Sequence, residues 1–241
     1  MVDIGDYNAY LVDRTITPNE IITVSNWLEG AASPTYIRQQ DSFKTITITL
    51  IVEGNSEQEV AYNISRVIDA FRAEKELEFE DMPDFIFPAT LEGMPNITRL
   101  KPCIMKVELT FKGNYMRTRE TTVVEPDIST GTFTFTVGGT APTPLKFELT
   151  PIASAIVKVE VAGLVKGGFT IRNVPFGSTL VIDTASGEVN LVDNTTEVAT
   201  PAIDCYQDAW ELPILEPGTY TVSLDYYTGY NLKLSFNENY V

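Results

Sequence analysis

The sequence predicts a mainly β protein, with an N-terminal β-sandwich-like domain that contains one α-helix and a C-terminal antiparallel β-sandwich. Three observations predict this fold class. Long segments before residue 115 alternate apolar and polar residues, one segment has helical spacing, and residues 145–241 contain short alternating segments separated mostly by Gly, Pro, Asn or Asp. A chain of 241 residues is long enough for two such domains.

The N-terminal domain is expected to contain two long, half-buried strands. Residues 43–53 and 103–112 alternate along their length, as is typical of antiparallel strands with one face in the core and one face in solvent. The predicted core-facing residues are Ile46, Ile48, Leu50 and Val52 in the first strand, and Cys103, Met105, Val107, Leu109 and Phe111 in the second.

One helix is predicted between these strands, over about residues 57–74. Ser56 has the position of an N-cap residue, and Glu59 completes a capping box. Arg72 and Lys75 are expected in the last turn, where positive charge is favourable for the helix dipole. The apolar stripe, which should cover one face of the sheet, consists of Val60, Ile64, Val67, Ile68 and Phe71.

An acidic segment follows the helix. In residues 74–81, Leu77 and Phe79 alternate with acids, which predicts a strand with a charged, solvated edge. Paired carboxylates could also serve a glycoside hydrolase, but nothing in the pattern indicates the cleft that this chemistry needs. Between Pro83 and Pro88 we expect only a short strand, because proline cannot donate a ladder hydrogen bond.

Gly, Pro and Thr cluster between residues 118 and 143. Such clusters mark loops and linkers, so we expect a domain boundary near residue 130 and two domains, 1–130 and 131–241. Within the second domain, residues 183–187 and 216–218 are predicted to form turns between strands.

The composition excludes several classes of function. The 17 basic and 33 acidic residues give a formal net charge of −16, which argues against tight binding of nucleic acid or of anionic membranes. Histidine is absent, so catalytic triads and histidine zinc sites are excluded in this chain. Cys103 and Cys205 are expected as free thiols. We expect no enzymatic activity, no cofactor, no metal, no signal peptide and no membrane insertion.

Several segments, in combination and order, resemble one protein family. They are the run LVIDTASGEV at 180–189, Trp210 followed by Leu212, the run LEPGTYTV at 215–222 and the closing strand at 232–236. They resemble the distal tail proteins of flexible-tailed phages (siphophages). The resemblance implies a virion structural protein of the tail tip or baseplate. Such a protein forms a ring, usually a hexamer, that joins the tail tube protein to the tip and adhesion proteins.

The same resemblance implies a galectin-like second domain and assembly in the cytoplasm of the bacterial host. We place the ring interface in the first domain, on the polar faces of the two long strands. The candidate contact residues there are Thr47, Thr49, Lys106 and Thr110. Phage DNA must leave through the tail tip, so we also expect a neutral to negative channel, with the acids of residues 74–84 as candidates for its wall or rims.

A carbohydrate-binding β-sandwich module that aids host adhesion is the alternative function. In that case Trp210, Tyr226 and Tyr227 would stack on a sugar ring. We favour an ordinary position in the core or at the rim of the sandwich, since Trp and Tyr are common there. A solvent-open groove with Trp210 and a tyrosine side by side would favour the binding module.

Overall fold

The computed structural model describes residues 3–19, 21–26, 35–41, 43–72, 75–225 and 229–241. It confirms the mainly β fold, with antiparallel sheets and, in the described ranges, a single α-helix. The chain divides into two units: the first ends at Arg117 and includes Val241, and the second is Thr118–Tyr240. The boundary predicted near residue 130 falls inside the second unit, because Thr122–Val124 is a strand of that unit.

A sheet in which β1, β4, β7, β6 and β8 follow one another is the main element of the first unit, and its first four strands pair antiparallel. Strand β5 pairs with the first half of β6, and β2 and β3 form a separate antiparallel pair. The elements are β1 (Ala9–Thr17), β2 (Ile21–Asn26), β3 (Thr35–Asp41), β4 (Lys44–Glu53), α1 (Glu57–Ala70), β5 (Lys75–Leu77), β6 (Phe85–Lys101), β7 (Ile104–Gly113) and β8 (Met116–Thr118).

One face of this sheet packs against α1. The core-facing residues predicted for β4 and β7 are buried, except that Cys103 and Met105 are only partly buried beside the core. Val67 of the helix is fully buried, and Phe71 meets Phe111 edge to face with ring centroids 5.4 Å apart. Full burial of each such side chain stabilises the folded state by roughly 1.5–3 kcal/mol relative to exposure. The face that carries these residues is therefore the one that packs inward.

The helix begins as predicted. The Ser56 hydroxyl accepts a hydrogen bond from the Glu59 amide at 3.1 Å, and the Glu59 carboxylate accepts one from the Asn55 amide at 2.8 Å. The helix ends at Ala70, before the predicted residue 74, so the two basic residues expected in its last turn lie beyond it. No helix in the described ranges has the length and apolar character needed to cross a membrane.

The strand expected to be short between two prolines is in fact 17 residues long. Pro88 lies opposite Glu76 of the short strand β5. Pro95 lies between Glu92 and Asn96, where the pairing with β7 is interrupted. Both prolines therefore occupy positions where β6 tolerates the loss of a backbone donor, so they do not end the strand.

The second unit is a β-sandwich, as predicted. A five-stranded sheet has the order β10–β20–β13–β14–β18, and a six-stranded sheet has the order β17–β16–β15–β12–β21–β9. The strands are β9 (Thr122–Val124), β10 (Thr132–Val137), β11 (Thr143–Pro144), β12 (Lys146–Pro151), β13 (Ile156–Ala162), β14 (Phe169–Val174), β15 (Ser178–Asp183), β16 (Glu188–Asp193), β17 (Ala199–Pro201), β18 (Tyr206–Gln207), β19 (Ile214–Leu215), β20 (Gly218–Leu224), β21 (Tyr230–Phe236) and β22 (Asn239–Tyr240).

Both sheets of the sandwich contribute to one hydrophobic core. Phe147 of the six-stranded sheet meets Phe169 of the five-stranded sheet edge to face, with ring centroids 5.8 Å apart. The turn predicted at residues 183–187 joins β15 to β16, and Gly187 adopts a φ of +74° there.

Candidate functional site

The outer face of the first unit's sheet, which points away from α1, holds the four residues predicted as contacts. Thr47 and Thr110 are cross-strand neighbours, and Thr49 lies opposite Glu108. Lys106 lies further along the same face, and all four predicted residues are half-buried. The structure therefore places them on one surface, and their role in subunit contacts stays a prediction.

Two lysines on this outer face have acidic partners on the same face. The Lys106 amino group lies 2.5 Å from the Glu108 carboxylate, and the Lys112 amino group lies 3.7 Å from that of Glu92. Hydrogen bonds from Lys106 and then from Asn96 hold the pKa of Glu108 below its usual range. The face thus presents compensated rather than free positive charge.

Strand β1 is an edge strand whose first half exposes apolar side chains. Tyr10, Leu11 and Val12 are all exposed, and the exposed fraction of Val12 is 61%. The pairing with β4 shifts between Leu11 and Asp13, which indicates a bulge at this point. The Tyr10 hydroxyl donates a hydrogen bond to Glu53 at 3.0 Å, and this bond raises the pKa of Tyr10. An apolar edge of this kind favours pairing with another chain.

The far half of β6, residues 96–101, forms a second exposed edge in the pairings that the structure describes, although β8 follows β6 in the strand order of the sheet. It pairs with β7, every one of its residues is exposed, and Ile97 and Leu100 are its large apolar side chains. Just before it, Gly93 has a φ of +72°, and the ladder is interrupted around Met94, which is 94% exposed. This half of β6 therefore offers apolar surface of the same kind as β1.

The two exposed edges lie at the same end of the sheet. One row of the ladder runs from Tyr10 through Ile51 and Lys106 to Thr98. Each neighbouring pair of strands is antiparallel, so β1 and β6 also run in opposite directions. Neither edge is predictable from the sequence, because their irregular pairing interrupts the alternation on which strand prediction relies.

The acidic segment after α1 is fixed by packing and by an ion pair. Leu77 and Phe79 are buried, as their alternation with acids predicted, but the strand expected over residues 74–81 is shorter, because β5 ends at Leu77. Arg14 donates two hydrogen bonds of 2.6 Å to Asp81 and lies 4.2 Å over the Phe79 ring, and the hydrogen bonds hold the pKa of Asp81 below its usual value. Within the described ranges, no three acidic or cysteine side chains are placed to hold a metal ion. Glu74 lies outside those ranges.

The structure excludes a core position for Trp210, whose side chain is 93% exposed in the loop between β18 and β19. Tyr206, at the start of β18, fills the core instead. Its ring centroid lies 4.9 Å from that of Phe169, and its hydroxyl donates to the Glu211 carbonyl at 2.5 Å. Burial raises the pKa of Tyr206 to about 12. Trp210 is therefore available to a ligand or partner.

A cavity of about 290 Å³ opens in the second unit near this loop. Strands β13, β14 and β20 line it, together with Asp208 from the loop that also holds Trp210. Its polar lining residues are Glu160, Thr170, Asp208, Ser223 and Asp225. Tyr226 and Tyr227, the other two residues of the predicted sugar platform, lie outside the described residues. The cavity is thus defined without them.

Solved structures with a similar fold come from phage tails. The Dit protein of phage SPP1, a paradigm of the hub adsorption apparatus in phages that infect Gram-positive bacteria, matches with a TM-score of 0.75 at 12% identity, over 100% of this chain and 96% of that chain. The chain has the fold of a phage tail hub protein. The resemblance predicted from the sequence is therefore confirmed for the fold, over the whole chain.

Two further matches come from the baseplate of phage P2 in its activated conformation. The structures with Ca and with Sr give TM-scores of 0.57 and 0.55 at 9% and 10% identity. These matches cover 98% and 97% of this chain, and 92% of the other chain in each case. No protein-family model and no curated protein matches the sequence.

Proposed function

We propose that this chain is a structural component of a phage tail tip, in which six copies form a ring that joins the tail tube to the tip and adhesion proteins. The supporting observation is the pair of exposed apolar edges at the same end of the first unit's sheet, in a chain with the tail hub fold. The role is structural and involves no enzymatic step. It places the protein at the tail tip of the virion, after assembly in the host cytoplasm.

The two edges are suited to antiparallel pairing between copies. One edge presents Leu11 and Val12, and the other presents Ile97 and Leu100. Unpaired backbone groups on an edge strand accept a further strand, and apolar side chains beside them add burial. Because the contact joins two different edges, it is head to tail, and head-to-tail contacts form a ring when the rotation closes.

In such a ring the outer sheet face lines the channel. Thr47, Thr49, Lys106 and Thr110 lie on the two central strands. This proposal therefore assigns them to the channel wall, in place of the subunit contacts expected from the sequence, and assigns the contacts to the edges. A channel wall of threonines and ion-paired lysines offers few free cations to phosphate groups. DNA would then pass without being retained.

The test changes one edge at a time and measures the mass of the full-length protein in native solution. Val12→Lys and Leu100→Lys each place a desolvated charge in the proposed contact and should convert the ring to monomers. Val157→Lys is the matched control, because Val157 is an exposed valine of the second unit, and this variant should keep the ring mass.

Circular dichroism should show that all three variants are folded, since the substituted side chains are exposed in a single copy. A monomeric wild-type protein would contradict the proposed ring. A Val12→Lys variant with the wild-type mass would leave the ring possible but exclude β1 as its contact edge.

A further inference from the structure

The cavity in the second unit is a candidate site that the ring does not use. We propose that it binds one neutral hexose unit of a glycan, with Trp210 as a stacking surface at its rim. All residues that support this proposal belong to the second unit. It therefore stands independently of the ring.

The cavity has the size and construction of a small ligand site. Its volume of about 290 Å³ is close to the lower end of the range for such sites, ~300–1,000 Å³, which suits one sugar ring. Thr170 lines it and is only 4% exposed, so a polar side chain is built into its wall. A Cβ at Gly168, where φ is +78°, would lie 2.7 Å from the Val161 carbonyl, so glycine is required where the backbone approaches closely.

The lining charge selects a class of ligand. Glu160, Asp208 and Asp225 are acidic, and no basic side chain is among the described lining residues. The Glu160 carboxylate is ion-paired with Lys158, so Asp208 and Asp225 are the acids that disfavour phosphate and carboxylate ligands. The three carboxylates are also not placed to share a metal ion. The Asp225 carboxylate accepts a hydrogen bond from the Glu160 amide at 2.5 Å, which orients it. Each carboxylate has further lone pairs, and these suit a ligand with several hydroxyl donors, because hydrogen bonds to an ionised acceptor are stronger than neutral ones.

The loop after β18 supplies an aromatic surface close to these acceptors. Trp210 follows Asp208 by two residues, a span of at most about 7 Å, and its indole is 93% exposed. An indole is large, rigid and amphipathic, so it can cover the apolar face of a sugar ring while its N–H stays available. Asp208 has a φ of +66°, and such backbone outliers at the rim of a cavity are typical of binding sites.

The experiment follows the fluorescence of Trp210. Trp27→Phe leaves Trp210 as the only tryptophan in the full-length chain. This protein is titrated with D-glucose, D-galactose and N-acetyl-D-glucosamine. We expect a saturable change in emission with at least one of them, at a Kd of about 1–10 mM. Saturation-transfer NMR on the sugar protons, with Trp27 unchanged, gives a second readout.

Variants connect the signal to the cavity. Asp208→Asn and Thr170→Val each remove part of the polar lining with little change in volume, and each should weaken binding about tenfold. Asp204→Asn is the matched control, because Asp204 is an exposed acid just before β18 that does not line the cavity. This control should bind like the parent protein.

Three outcomes would overturn the proposal. In the first, none of the three sugars binds at concentrations up to about 100 mM. In the second, a sugar binds, but Asp208→Asn binds it as tightly as the control does. In the third, spermidine produces a saturable change in Trp210 emission and the sugars do not. That result would show that the cavity selects cations by charge. The ring mass is measured separately, so failure of either proposal is distinguishable from failure of the other.

Discussion

Arg14 connects the exposed edge strand β1 to the body of the first unit. Its guanidinium lies over the Phe79 ring and donates two hydrogen bonds to Asp81. The side chain of Arg14 is largely buried, while that of Asp81 is exposed, so solvent screens the pair only from one side. A single ion pair thereby ties the strand that we propose as a contact edge to the loop after β5.

This ion pair predicts a pH-dependent contribution to stability. The Arg14 hydrogen bonds lower the pKa of Asp81 from the ordinary value of 3.8, so the contribution is fully present above that value. It is lost as the pH falls through the lower pKa of the folded state. Asp81→Asn should therefore be less stable than wild type near neutral pH, and the difference should vanish in strong acid.

Urea unfolding of the full-length chain over a series of pH values measures this difference. Asp84→Asn, an exposed acid in the same loop, is the control and should follow the wild type. A destabilisation by Asp81→Asn that stays constant from neutral pH into strong acid would indicate an effect other than the ion pair.

Tyr206 and Trp210 should respond differently to truncation. Tyr206→Ala removes a buried ring from Phe169 and should lower the free energy of unfolding by about 3–5 kcal/mol. Trp210→Ala removes an exposed ring and should change it by less than about 0.5 kcal/mol. Thermal or urea unfolding of both variants provides the comparison. Equal losses would mean that Trp210 packs against the protein.

The start of α1 permits a quantitative prediction at the scale of elements. Ser56→Ala removes the N-cap acceptor of the Glu59 amide and should destabilise the chain by about 1 kcal/mol. Ser65→Ala, at an exposed position inside the same helix, should be neutral or slightly stabilising, because alanine has the higher helix propensity. Urea unfolding, followed by the circular dichroism signal of the helix, measures the stability of both variants. If the two variants are alike, the cap contributes nothing.

Elements with regular periods could be predicted from the sequence, and irregular ones could not. β4, β7 and the start of α1 follow periods of two and 3.6, so their faces were predicted correctly. The length of β6 was not predicted correctly, because Gly93, Pro95 and the interrupted pairing around them break the alternating pattern. β18 is two residues long, which is too short to show any period, so the sequence could not tell that Tyr206 rather than Trp210 is buried.

At the scale of the whole molecule, the sequence predicted the fold class and the tail hub resemblance but only part of each candidate site. The two exposed edges depend on the order in which the strands pair, and that order comes from long-range pairing rather than from local pattern. The cavity likewise joins Glu160, Thr170 and Asp208 from segments that are far apart in sequence. For the proposed sugar site, the sequence indicated Trp210 with Tyr226 and Tyr227, because aromatic residues are recognisable candidates for stacking, but it did not indicate the residues that line the cavity.

The net charge predicts how assembly should depend on salt. Each copy has a formal charge of −16, so copies repel one another before their edges meet. The repulsion acts over about 30 Å at 0.01 M ionic strength and about 8 Å at 0.15 M. The edge contact that we propose is mainly apolar, so screening removes the repulsion and leaves the attraction. The ring fraction should therefore rise with salt.

Native mass measurement at both ionic strengths tests this dependence, and double-stranded DNA added to the assembled ring tests the channel. We expect no DNA retained by the wild type, whose lysines on the outer sheet face are paired with acids. Glu92→Lys with Glu108→Lys removes both acidic partners and adds two cations per copy, so that ring should retain DNA at low salt and release it as salt rises. A wild-type ring that dissociates on addition of salt would mean that ion pairs between copies, rather than apolar edges, hold it together.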